Sequence, residues 1–489
     1  MITVSFVVYI VFMLIIGYFA YRQTRDLSDY ILGGRRLGSW VAAISACASD
    51  MSGWLLLGLP GYAYVAGLEA GWIALGLLVG TYLNWRLIAA RLRTYSVIAG
   101  NSHTLPEFFE NRFADNSRLL RLISAVFILL FYLFYTSSGL VAGGKLFNAV
   151  FDMPYQWAVC VGTVVIMVYI FMGGFLAVAW TDLFQGLLML AALLLVPVVT
   201  MFNLAGWDNT LNTIHQSNPA LLNVLSDNTG KPLTSLTVAS LLAWGLGYFG
   251  QPHILARFKA IRSTRDIPKA RLIAVSWVFV TLVCAVWVGI LGIAYFHQPL
   301  IGTDTEKVFI LLVQALFHPL IAGICLAAIL AAIMSTADSQ LLVSAATFTS
   351  DFYKALFRKN AGEKELVWTG RLTVLVVAIV ALVLAWNPER KVLDLVAYAW
   401  AGFGAAFGPA LILSLYWRRM NAYGALAGII VGGLTVVIWK PLSGGIFDVY
   451  EIIPGFLFSV VSIIVVSLLT PEMSKSVLEE FDKAIKVQS

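Results

Sequence analysis

Residues 48–61 read Ala48-Ser49-Asp50-Met51-Ser52-Gly53-Trp54, then Leu55-Leu56-Leu57, then Gly58-Leu59-Pro60-Gly61, so a carboxylate, three glycines and a proline fall inside an apolar run. A second interruption reads Trp244-Gly245-Leu246-Gly247-Tyr248-Phe249-Gly250-Gln251-Pro252-His253. In hydrocarbon each unsatisfied backbone group costs several kcal/mol, so such breaks persist only where protein, water or a ligand completes the hydrogen bonding. Both stretches predict discontinuous helices around a buried site.

The surrounding chain sets the solvent. Of 489 residues 60% are hydrophobic and 12% charged, where a soluble domain carries roughly 25% charge. The mean hydropathy is +0.86. These values exclude a water-soluble fold and predict an all-α polytopic membrane protein. Apolar runs long enough to cross about 30 Å of hydrocarbon predict thirteen spans, near 3–21, 39–66, 69–90, 119–144, 155–178, 182–205, 235–256, 272–296, 308–338, 366–386, 392–416, 422–439 and 452–470. Residues 1–470 then form a single transmembrane domain, and 471–489 a short cytoplasmic tail. The first run has no basic segment before it and no small-residue cleavage site after it, so it reads as a retained span.

The broken spans are the second and the seventh, each followed by four more. Discontinuous helices at corresponding positions of two halves mark an inverted-repeat secondary transporter with its substrate at the midplane. The predicted repeat is five plus five, spans 2–6 (39–205) and 7–11 (235–416), with a peripheral first helix (3–21) and two C-terminal helices (422–470). Lysines and arginines at span ends are counted with the adjacent loop, because such side chains snorkel outward. Six of the 32, Lys145, Lys231, Lys307, Arg390, Lys391 and Lys440, then lie opposite the C-terminus and the other 26 on its side. The positive-inside rule places the N-terminus outside and the C-terminus in the cytoplasm.

The net charge of +6 follows from those loop cations, and no basic patch interleaved with aromatics points to nucleic acid. Cys47, Cys160, Cys284 and Cys325 sit singly in apolar runs, and the five histidines have no metal spacing; His253, beside a break, reads as lining. Gly139 to Leu146 resembles a phosphate-binding loop, yet Leu146 stands where Ser or Thr would reach Mg²⁺ and no strand precedes it. ATP is therefore not expected, and uphill transport must draw on an ion gradient.

Three groups of residues can carry chemistry. Asp50 costs at least ~2.5–3.5 kcal/mol in mid-span and so reads as functional, although capping a half-helix is an ordinary alternative. Ser335-Thr336-Ala337-Asp338-Ser339-Gln340 clusters polar groups in an apolar helix; lone hydroxyls usually bond back to the preceding turn, but a cluster offers the hard oxygens that a dehydrated Na⁺ needs. Trp54, Tyr135, Trp244 and Tyr248 are amphipathic rings near the breaks, suited to enclosing a small zwitterion where they are not simply packing.

These motifs, with Gly173-Gly174-Phe175-Leu176-Ala177-Val178, Trp180-Thr181-Asp182 and Gln185, and Tyr398-Ala399-Trp400-Ala401-Gly402-Phe403-Gly404, resemble the sodium:solute symporter family, and within it the proline-transporting branch. The resemblance runs from the first span to about residue 470. It implies a sodium ion between spans 2 and 9, held by carbonyls of Ala48, Met51 and Ala332 and hydroxyls of Ser335 and Thr336, with Asp50 essential for sodium affinity. It implies a proline pocket lined by Ser52, Trp54, Gly58, Tyr135, Trp244, Tyr248 and Pro252, with Gln251 contributing, and gating or coupling roles for Arg35 and Asp182. One departure is Asp338, just after the paired hydroxyls: a helix-packing substitution, a second supporting ion ligand, or a sign of changed ion choice.

The expectation is a Na⁺-coupled L-proline symporter of the bacterial inner membrane, working by alternating access as a monomer in the lipid bilayer, without an organic cofactor. Another small solute, an osmolyte or monocarboxylate, is the nearest rival. A passive channel would show a continuous polar stripe through several helices. An enzyme would show a nucleophile with its base, or a metal ligand set, at one depth.

Overall fold

The computed structural model describes residues 1–21, 32–170 and 174–486. Gly173 and the 22–31 segment, with Arg22 and Arg25, lie outside the described residues. The first helix, α1 (Ile2–Tyr21), is followed by α2 (Ser39–Asp50). Helix α2 stops where the sequence predicts: Met51 leaves helical geometry (φ −78°, ψ 76°). A π turn over Trp54–Gly58 and α3 (Leu59–Ala66) complete the second span. Pro60 stands in the first turn of α3, where its missing N–H breaks no bond.

Gly67, at φ +66°, ends that span; a Cβ there would lie 2.2 Å from the Leu221 carbonyl oxygen. Beyond it run α4 (Gly71–Leu83), a π turn (Asn84–Ile88) and α5 (Ala89–Ile98). Helix α6 (Leu105–Phe113) opens on a reciprocal capping box between Thr104 and Glu107. Then follow α7 (Leu119–Phe151), α8 (Tyr155–Ile170), α9 (Phe175–Asn203) and α10 (Trp207–Ser217). The seventh span comprises α11 (Ser235–Leu242), a 3₁₀ segment (Ala243–Gly250) and α12 (Pro252–Ala260). The remainder is α13 (Ile267–Tyr295), α14 (Val308–Leu316), α15 (Pro319–Ala346) with a terminal π stretch (Thr347–Phe357), α16 (Glu363–Leu384), α17 (Val392–Tyr416), α18 (Ala422–Trp439), α19 (Ile452–Leu469) and α20 (Lys475–Lys486).

Among the described residues ten helices are long and apolar enough to cross a membrane, against the thirteen spans read from sequence. Two apolar helices, Tyr155–Met167 and Ser235–Gly250, fall short of that length, and Trp54–Ile98 counts once although Gly67 bends it.

Four expected boundaries are corrected. The ninth span is not 308–338, because Pro319 disfavours helix at His318, whose ring nitrogen caps the new helix through the Leu320 amide. Ser335 and Thr336 consequently lie well inside α15. The fifth and sixth spans part at extended Gly174 rather than at 179–181, which puts Asp182 two turns into α9. Helix α7 continues past 144 to Phe151, so Lys145 is helical and buried, paired with Glu306; the Glu306 carboxylate also accepts from the Val392 and Leu393 amides that open α17. The tail after 471 folds into α20, an amphipathic helix that buries Val477, Phe481 and Ala484.

Glycines let α4 pack backbone to backbone against the break of the seventh span. A Cβ on Gly80 would meet the Gly245 carbonyl oxygen at 2.3 Å, and one on Gly245 the Gly76 carbonyl oxygen at 2.2 Å. Gly247 faces the Trp400 indole with no room for a methyl. Gly80→Ala should therefore cost about 1–3 kcal/mol of overpacking, read as a lowered unfolding midpoint in detergent. Gly71→Ala, with nothing within 4 Å of the added methyl, should leave the midpoint unchanged or slightly raised.

Candidate functional site

Where α2 ends, the Asp50 backbone carbonyl is free of helical bonding and gathers donors from three directions. It accepts from the Ser52 amide (2.9 Å), the Trp54 indole N–H (3.1 Å) and the Tyr135 hydroxyl of α7 (2.9 Å). The Asp50 carboxylate accepts from the Tyr248 hydroxyl at 2.8 Å through Oδ2. Thus Asp50, Ser52, Trp54, Tyr135 and Tyr248 meet at one place, with Trp244 closing it: its ring centroid lies 6.4 Å from that of Trp54. The Trp244 carbonyl accepts from the Trp400 indole (2.7 Å), and Trp400 stands edge-on to Tyr248.

Two residues earlier, α2 meets α15. Ser335 Oγ donates to the Ala48 carbonyl (2.8 Å) and approaches that of Ala332 (3.2 Å), while Thr336 Oγ1 reaches Ala48 at 3.4 Å. Ala48, Ala332, Ser335 and Thr336 therefore form one oxygen cluster, entirely buried. Met51, also buried, is the residue at which α2 unwinds, and its amide donates to Cys47 O. Neutral oxygens at a helix–helix crossing suit a cation that must also leave.

Other expected residues lie apart from these clusters. Gly58 packs on Leu393 at the start of α17. Gln251 donates to the Gly247 and Trp400 carbonyls, bracing the 3₁₀ segment from within. Pro252, the first residue of α12, lines a different cavity with Ile128, Phe175, Ala256 and Lys259. Arg35, at φ +56°, fastens the chain before α2 to Ser96 Oγ (3.0 Å) and to the carbonyls of Lys259 (2.9 Å) and Ser102 (3.2 Å). Partial burial draws Arg35 down to about 10, still fully charged at neutral pH.

Asp182 belongs to a network built on Arg257, which the sequence reading assigned to a loop as a snorkelling cation. Arg257 is instead completely buried, as Lys259 nearly is. Its guanidinium donates to Asp182 Oδ2 (3.0 Å), Ser45 Oγ (3.0 Å), the His253 carbonyl (3.1 Å) and Ser339 Oγ. Ser45 donates in turn to Asp182 (2.6 Å), and Ser339 to Asp338 Oδ1 (3.3 Å). Four elements, α2, α9, α12 and α15, are thereby tied together. Asp338 sits in this network through Ser339. His253 is buried against Tyr132, whose hydroxyl accepts from its amide and lies 3.1 Å from its Nδ1.

Two broken helices crossed by a long hydroxyl-bearing helix, with buried oxygens at the crossing, define an ion-coupled membrane transporter rather than an enzyme. A family model described as the sodium:solute symporter family matches residues 30–432. The chain belongs to that family. It is 52% identical over 472 residues to "High-affinity proline transporter PutP" of Bacillus subtilis, covering 96% of this chain and 98% of that protein. It is 51% identical over 486 residues to "Sodium/proline symporter" of Escherichia coli, covering 98% and 95%. Among solved structures, a Na⁺-coupled sialic acid symporter in a substrate-bound outward-open state superposes with a TM-score of 0.80 at 19% identity, covering 97% of this chain and 99% of that one; the fold is shared.

Arg257→Met would leave the buried Asp182 carboxylate without its guanidinium, and breaking a buried pair costs about 3–5 kcal/mol. The unfolding midpoint in detergent should fall accordingly. The double variant Arg257→Met, Asp182→Asn should recover a large part of that loss.

Proposed function

We propose that the protein carries L-proline into the cell with Na⁺, by alternating access, across a bacterial inner membrane. The observation that carries this reading is the convergence on one helix break: Asp50 receives Trp54, Tyr135 and Tyr248, while Ala48, two residues away, faces Ser335 and Thr336. The substrate named for both proline-transporting relatives supports the cargo. Polar breaks confined to two helices favour a coupled carrier over a channel.

Residues 1–470 form the transporter domain, with thirteen crossings. The two short apolar helices and the bend at Gly67 support three crossings beyond the ten recognised by length. Spans 2–6 and 7–11 are inverted repeats; breaks at Met51–Gly53 and at 243–251 support the pairing. The N-terminus lies outside and the C-terminus inside. One chain holds the whole site, so the monomer is the working unit.

Sodium binds the carbonyls of Ala48, Met51 and Ala332 and the hydroxyls of Ser335 and Thr336, whose lone pairs turn to the ion when their protons leave Ala48. That bridges α2 to α15 and fixes the unwound end of α2. Ser52, Trp54, Tyr135, Trp244 and Tyr248 enclose proline, with Gly58, Gln251 and Pro252 shaping the route on either side. Because coupling between two sites is reciprocal, each ligand tightens the other. Arg35 and the Asp182–Arg257 network hold the inner side shut until both are bound. A membrane potential supplies about 2.3 kcal/mol per charge per 100 mV; with the Na⁺ gradient, one ion sustains roughly hundredfold accumulation at about 1.4 kcal/mol per factor of ten.

Purified protein in liposomes should accumulate labelled L-proline uphill under an inward Na⁺ gradient and fail to do so when choline replaces Na⁺. Asp50→Asn should abolish accumulation. Ser335→Ala should raise the Na⁺ concentration for half-maximal uptake roughly tenfold, the ~1.4 kcal/mol of one lost ligand. Na⁺-driven accumulation of an osmolyte or monocarboxylate in place of proline would assign the cargo elsewhere, and proline flux that merely equilibrates would refute coupling.

A further inference from the structure

On the opposite side of α2 from Ser335, a small void lies between Ala46, Cys47, Asp50, Thr81, Asn84 and Tyr248, with room for about one water-sized particle. No residue of α15 lines it. Of three buried side-chain oxygens on its wall, Asp50 Oδ1, Thr81 Oγ1 and Asn84 Oδ1, the first and last have no hydrogen-bond partner and the second has only the Tyr248 hydroxyl beside it. Their residues are 1%, 3% and 1% exposed. Leaving one such group unpaired costs about 1–3 kcal/mol, and a charged one more; two at one void, beside a third hydroxyl, mark a place built for an occupant.

The chemistry of the wall selects that occupant. Asn84 Nδ2 is spent on the Tyr248 carbonyl (3.0 Å), which leaves the amide oxygen as an acceptor. Tyr248 in turn spends its hydroxyl proton on Asp50 Oδ2, so the other carboxylate oxygen is also acceptor-only. Thr81 adds a hydroxyl next to that of Tyr248. Among the described residues Asp50 has no ion-pair partner, nor has Asp338, which Ser339 links to Arg257, whereas Asp182 has Arg257, Asp351 has Arg121 and Glu306 has Lys145. An ionised carboxylate in a low-dielectric interior carries a penalty of several kcal/mol unless a cation answers it. The π turn that starts at Asn84, a distortion that recurs at functional sites, sets this side chain against the break.

We propose that Asp50, Thr81 and Asn84 form a second station for a small hard monovalent cation, Na⁺ being the one supplied, separate from the Ala48, Ala332, Ser335 and Thr336 cluster. The station rests on the sodium-coupled reading above. It gives the Asp50 carboxylate a direct ionic partner, and it lets the ion population of the protein be felt by Tyr248, which touches both the station and the aromatic pocket.

The test is equilibrium binding of ²²Na⁺ to purified protein in detergent. Wild type should hold two ions per chain at saturation. Thr81→Val removes one oxygen whose neighbour, the Tyr248 hydroxyl, keeps its bond to Asp50, so the fold should survive, as an unchanged unfolding midpoint would show; this variant should lose one ion or weaken its binding at least tenfold, and Thr81→Ser should restore it. Ser335→Ala should weaken the other ion, and the double variant both. Thr81→Val indistinguishable from wild type in number and half-saturation would overturn the station and assign the void to water. A wild type that binds one ion, weakened by Ser335→Ala and untouched by Thr81→Val, overturns the station while keeping the sodium reading; a wild type that binds none removes that reading itself.

Discussion

Everything around the two breaks depends on one peptide carbonyl released from helical bonding, that of Asp50. In an uninterrupted helix it would have accepted the amide of Trp54; here it receives the Trp54 indole, the Tyr135 hydroxyl and the Ser52 amide instead. The energy of a broken helix in hydrocarbon is thus recovered through side chains from two spans. Removing the interruption would therefore remove their meeting point. The carboxylate of the same residue recruits Tyr248 from the other broken span, so the two interruptions stabilise each other.

The glycines around this junction act as spacing constraints. Gly80 and Gly245 bring two backbones together where any side chain would hold them apart, and Gly247 admits the Trp400 indole to the Trp244 carbonyl. Close packing here contrasts with the start of α2 and with α12, held by Arg35 and by the Arg257 network through hydrogen bonds. The molecule thus combines a closely packed junction with polar fastenings.

What could be read from sequence follows the energetics of hydrocarbon. Asp50, Ser335 and Thr336 stand out because a carboxylate or paired hydroxyls in an apolar run are costly anomalies, and the breaks stand out through Gly and Pro. The carbonyls of Ala48 and Ala332 were reachable only through the family resemblance, since every residue has a carbonyl. Arg257 was missed because a cation near a span end reads as snorkelling; only the fold shows Asp182 opposite it. The register of α15 was misjudged by treating His318-Pro319 as interior to one run. Thr81 and Asn84 carried no signal, because single polar residues in helices commonly bond to their own backbone, and their significance arises from a neighbour on another span. Gly58 and Pro252 have the composition of a break yet face Leu393 and a separate cavity.

The chain's last helix has a consequence of another kind. Helix α20 sets Phe481 against Tyr95 of α5 and against the buried guanidinium of Arg112, while Asp482 pairs with Arg418 just beyond α17. A segment of 12 residues therefore spans from the end of the third span to the end of the eleventh. Relative movement of those two spans must stretch, slide or release it. The helix is in mechanical terms a strap, and its strength adds directly to the work of changing conformation.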